Sequence, residues 1–121
     1  MKHKNIYKIL TLQEWHDAQK SKVIKTCLDD KDGFIHFSNA NQLAASLDFY
    51  FYDSEEVVLL LPKMEKIEPF LKYEKADSNS ERSEFFAHMY GNLKIDDIEK
   101  TWQIKRGAFI LPKLILLEAE L

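Results

Sequence analysis

The chain has 121 residues, 45% of them apolar and 31% charged, enough for one domain to bury a sizeable core without disulfides or a metal. Seventeen Lys plus Arg against twenty Asp plus Glu leave a net charge of −3; a nucleic-acid binder would usually carry a basic excess, so there is no strong nucleic-acid signature. The lone Cys27 excludes an internal disulfide and suits a reducing compartment. The longest apolar run, residues 57–61, is far too short to cross a membrane, and no apolar leader follows the basic start, so no membrane partner and a cytoplasmic location are expected.

Residues 6–10 are β-prone and run into Thr11-Leu12-Gln13-Glu14. That is the pattern of a capping box, in which Thr11 accepts from the Glu14 amide while Glu14 reaches back. A first helix over residues 12–20 follows, with Leu12, Trp15 and Ala18 on its inner face. Asp29-Asp30-Lys31-Asp32-Gly33 reads as a turn, and Phe34-Ile35-His36-Phe37 as a buried strand. Ser38-Asn39 caps a second helix over residues 40–51, with Ala40, Leu43, Ala44 and Leu47 at helical spacing. Residues 57–61 form a continuous apolar run suited to a central strand covered on both faces and stopped by Pro62. Residues 71–75 alternate as a half-exposed strand does, with Tyr73 packed and Glu74 turned the other way. Residues 77–84 are a polar loop, residues 85–90 an aromatic strand and residues 101–104 a further strand. The tail, residues 109–121, is split by Pro112 and reads equally as strand or helix. Because the elements do not alternate regularly, the expected class is α+β in a single domain.

Two histidines interrupt apolar strands: His36 in Phe34-Ile35-His36-Phe37 and His88 in Phe85-Phe86-Ala87-His88-Met89-Tyr90. Imidazole in such a place needs a hydrogen-bond partner, because an unsatisfied buried polar group costs a few kcal/mol. The bland account is a core histidine bonded to a backbone carbonyl. The sharper one is that both open onto one cleft as acid, base or ligand-binding groups. Alternation puts His36 on a face with Phe34, and His88 on a face with Phe86 and Tyr90, so an aromatic wall would stand beside imidazole. Glu74, on the charged side of its strand, is a third candidate. Arg82, in the polar loop, could clamp an anion. There is no His-Glu-x-x-His metal motif, no glycine-rich phosphate loop and no Gly-x-Ser-x-Gly elbow, so no metal is expected.

The runs Ile6-Tyr7-Lys8-Ile9, Asp32-Gly33-Phe34-Ile35-His36-Phe37-Ser38 with Gln42, Tyr73-Glu74 and Phe86-Ala87-His88-Met89-Tyr90-Gly91 resemble, in order and spacing, the bacterial family called domain of unknown function 952, over roughly residues 5–95. Residues 96–121 would then be a C-terminal extension. The match puts His36, Ser38, Gln42, Glu74, His88 and Tyr90 on the family's motif positions; Ala87 stands where a proline often precedes the second histidine. The family is grouped with ADP-ribosyltransferase-like domains, and residues 34–38 look like the histidine-bearing strand of the RNA 2′-phosphotransferases in that group. The resemblance therefore implies a split, mixed β-sheet with two short helices, of ADP-ribosylation-like type. It also implies a cleft for NAD, ADP-ribose or another nucleotide, in which His36, His88 and Glu74 carry any chemistry while Lys8, Ser38, Gln42, Tyr90 and Arg82 bind ligand. Where the wider group often has a ribose-holding histidine, this chain has Lys8, which would add a charge near the phosphates. Three readings follow: ADP-ribosyl or glycosyl transfer; a small-molecule binding domain that holds an adenosine compound without hydrolysing NAD at an enzymatic rate; and a different hydrolase using His36 and His88 as acid and base.

Overall fold

The computed structural model describes residues 5–75, 84–105 and 112–119. Strand β1 (Ile6–Thr11) leads into α1 (Leu12–Ser21), and the Thr11–Glu14 capping box forms in both directions, at 3.1 and 2.9 Å. Lys22 closes α1 in the left-handed region. After β2 (Val23–Ile24) comes a helix that sequence analysis read as a turn: α2 spans Cys27–Asp32. Its start is a second capping box, between Thr26 and Asp29, and Gly33, at φ 83°, ends it. Glycine alone takes that backbone angle without a Cβ penalty.

The next five residues feed two sheets. Ile35–His36 form β3 and Ser38–Asn39 form β4, with buried Phe37 between them. Helix α3 (Leu43–Tyr50) begins later than its apolar spacing suggested. Its entry is held by reciprocal 3.0 Å bonds between Asn39 and Gln42, each side chain accepting from the other's amide. Leu43 and Leu47 are buried; Ala44 is exposed. Then come β5 (Glu56–Pro62), the short α4 (Met64–Ile67), a 3-10 turn at Glu68–Phe70, β6 (Leu71–Lys75), β7 (Phe85–Met89), β8 (Leu93–Lys94), β9 (Ile98–Lys105) and α5 (Lys113–Ala119). The tail that read equally as strand or helix is therefore helical over its described part.

The strands make three sheets, in the orders β4-β1-β5-β9, β3-β7-β6 and β2-β8. All described pairings are antiparallel, so the expected mixed sheet is corrected to antiparallel ones. The five described α-helices replace the expected two. The cause is local: α2 and α4 are one-turn to two-turn helices, too short to show an apolar period. The molecule is an α+β fold of antiparallel sheets and few, short helices.

β5 lies between β1 and β9 and buries both faces. On one side, Ile6 and Leu10 of β1 and Val58 and Leu60 of β5 meet Ile35, Ala87 and Met89 of the three-stranded sheet. On the other, Tyr7, Ile9, Val57, Leu59 and Leu61 meet Leu43 and Leu47 of α3 and Ile115 of α5. Lys8, by alternation, shares the side of Ile6 and Leu10. It is buried, 3% exposed, in the layer between the sheets. Among the described residues no helix is long and apolar enough to cross a membrane.

Candidate functional site

In the three-stranded sheet β3 and β7 are in register so that His36 faces His88. Their rings lie 5.4 Å apart, edge to face. Phe34 covers both: it stacks on His88 at 4.0 Å and tilts against His36 at 4.7 Å. Tyr90 adds a further ring, 5.5 Å from Phe34. The two strand histidines thus form one cluster with Phe34 and Tyr90.

Each imidazole is braced by carboxylates. His88 Nδ1 lies 2.8 Å from Glu74 Oε1, and the Tyr90 hydroxyl donates to the same oxygen at 2.8 Å. Glu74 reaches His88 from β6, which pairs with β7. These two bonds hold the Glu74 carboxyl below the usual carboxylate range, and the same bond raises Tyr90 above the usual phenol value. Burial pushes His88 down, against the opposing pull of Glu74 and with the help of nearby His36. His88 is therefore a neutral imidazole at pH 7, with its proton facing Glu74 and Nε2 left as an acceptor.

His36 Nδ1 lies 2.7 Å from Asp29 Oδ1, and its Nε2 lies 2.9 Å from Asp32 Oδ2. Asp29 is the buried centre of this half of the site. Besides the His36 ring it accepts from the His36 amide at 3.1 Å and the Thr26 amide at 2.9 Å. The Lys8 ammonium lies 2.9 and 2.8 Å from its two oxygens and also donates to the His36 carbonyl at 3.1 Å. Burial alone would raise the Asp29 carboxyl, but the bond from His36 and the charge and bond of Lys8 outweigh it, to about 2. The expected consequence is an acid transition. Above the ordinary value near 3.8 the ionised group contributes its full stabilisation. As pH falls through about 2 the contribution, roughly 2 kcal/mol, is lost. Urea unfolding repeated at acidic pH checks this; a stability flat down to pH 2 would refute it.

The other candidates are dispersed. Lys8 does not reach out to a phosphate, because its ammonium is consumed by Asp29 and the His36 carbonyl. Ser38 is buried and bonded to Ser46, Oγ to Oγ, at 2.8 Å. Gln42 is buried too, and donates to the Phe85 carbonyl at 2.8 Å, tying α3 to β7. Tyr73, expected to pack, is 56% exposed, on β6, the end strand of its sheet among the described residues. Arg82 lies outside the described residues. Lys72, which the sequence did not single out, sets its ammonium 5.1 Å from the Tyr90 ring centroid, a cation–π distance. Asp29 and Asp32 were missed because their stretch read as a turn. The signal was available: Thr26-x-x-Asp29 is a capping-box pattern. Among the described residues no group of three or more acidic, histidine or cysteine side chains is arranged to hold a metal ion.

The family model for the proteins of unknown function termed DUF952 matches residues 9–101. The chain belongs to the DUF952 family. Its match covers both histidines and Glu74, and ends within β9. The crystal structure of protein CC0527 from Caulobacter crescentus is similar at a TM-score of 0.76 and 28% identity, covering 95% of this chain and 98% of that one. A double mutant of CC0527 gives the same values. The solution structure of CC0527 gives 0.72 over 91% of this chain and 92% of that one. Among curated proteins nothing matches.

Proposed function

We propose that this member of the DUF952 family binds the ribosyl part of a nucleotide or ADP-ribosyl compound at the His36–His88 pair, with neutral His88 as the proton acceptor. The observation that supports this reading most is the pairing itself: two imidazoles face each other across adjacent strands, each braced by a carboxylate and both covered by Phe34. Such an acceptor set fits ribose better than phosphate. Hydroxyl groups can donate to Glu74 or His88 Nε2, whereas a phosphate beside two carboxylates would be repelled. Lys8, already neutralised by Asp29, gives no relief. A carboxylate beside a ribosyl C1′ can also stabilise oxocarbenium-like charge, the need of any glycosidic transfer. NAD and ADP-ribose therefore fit through their ribose, with the half-exposed Tyr90 and the Lys72 ammonium at the rim.

The test is a thermal-shift panel of NAD, ADP-ribose, AMP and inorganic phosphate, followed by a nicotinamide-release assay. At about one hundred times Kd a ligand stabilises the fold by roughly 2.7 kcal/mol, a shift of several degrees in a domain this size. The expected result is a shift with NAD and ADP-ribose but not phosphate, lost in His88→Ala. Nicotinamide release that also vanishes in His88→Ala assigns glycosyl transfer; a shift without release assigns binding alone. If no adenosine compound shifts the transition, the ribosyl reading is wrong.

A further inference from the structure

Asp29 binds four groups at once from inside the protein: the Lys8 ammonium, the Thr26 amide, and the amide and ring of His36. We infer that Asp29 is a positioning residue that keeps a proton on His36 Nδ1, so that Nε2 is the nitrogen offered to a ligand and Asp32 is the side chain a ligand hydroxyl displaces from it. Only the last clause rests on the ribosyl reading.

The argument is a count of protons. A neutral imidazole has one N–H and one acceptor nitrogen, and an ionised carboxylate only accepts. Which nitrogen holds the proton is set by the bond the other groups make to the ring. Asp29 lies 2.7 Å from Nδ1, and its side chain is 2% exposed. The Lys8 ammonium holds it from the opposite side and the capping box of α2 fixes its height. It can neither rotate away nor accept water in place of the ring, so the proton belongs on Nδ1. Nε2 of the neutral ring is then an acceptor facing Asp32, another acceptor. Their 2.9 Å contact holds only while a proton lies between them. Of the two carboxylates Asp32 is the one able to yield: its side chain is 35% exposed. The charged and titratable groups around the ring come from each neighbouring element: Lys8 of β1, Asp29 and Asp32 of α2, His88 of β7, and Glu74 of β6 acting through His88. A ligand hydroxyl arriving at Nε2 can donate to it and complete what Asp32 leaves.

The experiment reads the ring directly. Two-bond nitrogen–proton correlations are recorded on the labelled full chain at alkaline pH, for wild type, Asp29→Asn and Lys8→Met/Asp29→Asn. The double variant removes both buried charges together, so neither is left unpaired. In the wild type Nδ1 is expected to carry the proton. In the variants the ratio of the two neutral forms should move toward the Nε2–H form by about tenfold or more, the weight of one charge-assisted bond. A role confined to stability would leave that ratio alone. A wild-type ring with its only proton on Nε2 overturns the inference, and so does a ratio unchanged in whichever variant folds. If neither variant folds, the wild-type ring decides. With ADP-ribose as probe, affinity in Asp32→Ala is expected to hold or tighten; weakening overturns displacement of Asp32. If ADP-ribose does not bind the wild type, the displacement clause falls with the ribosyl reading, while the ring measurement still decides the role of Asp29.

Discussion

Lys8→Met is expected to cost about 3–5 kcal/mol of folding stability, read as a lower urea midpoint at unchanged slope. The ammonium and the Asp29 carboxylate are each 3% exposed as residues. Taking either charge from water is costly, and burial indeed pushes Lys8 down from the ordinary ammonium value while Asp29 pulls it back. Together they are satisfied: the ammonium has three oxygen contacts, two to Asp29 and one to the His36 carbonyl. Removing it leaves a buried carboxylate whose remaining partners are His36 and Thr26. Out of the 5–15 kcal/mol typical of a domain, that loss is large. The double variant Lys8→Met/Asp29→Asn should cost clearly less than the two single changes summed, because the pair is the unit of satisfaction. Additive costs would mean that the two charges do not depend on one another.

Leu60→Ala is expected to cost about 2–5 kcal/mol, measured in the same way. Leu60 is fully buried in β5 and shares its cluster with Leu10, Ile35 and Met89. The void would open directly behind the strands that carry His36 and His88. Surrounding residues on two sheets cannot collapse into it without shifting a ladder, so the loss should include the cavity cost as well as the transfer cost. Tyr73→Ala, at an exposed position of β6, is the matched contrast and should stay within about 0.5 kcal/mol. A cost for Leu60→Ala as small as that would mean that the layer between the sheets is loosely packed.

What could be read from the sequence follows the strength of local chemistry. The Thr11–Glu14 capping box, the central run at residues 57–61, the strands around His36 and His88, and the shared aromatic neighbourhood of the two histidines all depend on patterns a few residues long. α2 escaped because six residues rich in aspartate look like a turn, and the helix is made by its ends, Thr26 and Gly33, more than by an apolar face. Lys8 was misread for a different reason. A lysine within a β-prone run has no visible partner in sequence, and Asp29, the group that buries it, stands 21 positions away. Gln42 and Ser38 carry the same lesson: polar residues on motif positions serve as ties between elements, Gln42 to the Phe85 carbonyl and Ser38 to Ser46. Tyr73 failed in the opposite direction: it stands on an end strand, where alternation alone does not secure burial.

The segment from His36 to Ser38 passes from one sheet to the other in three residues, and the Phe37 amide donates to the Ala87 carbonyl at 3.1 Å as it does so. Lys8, on the first strand of the larger sheet, grips the carbonyl of His36 in the smaller one. The site is therefore sewn into the seam of the molecule and does not sit on a detachable loop. Whatever separates the sheets also parts Lys8 from Asp29 and from the His36 carbonyl, so the residues that would recognise a ligand share one cooperative unit with the core. A chain that holds its core must, for that reason, present its histidines in register, and selection for either property preserves both.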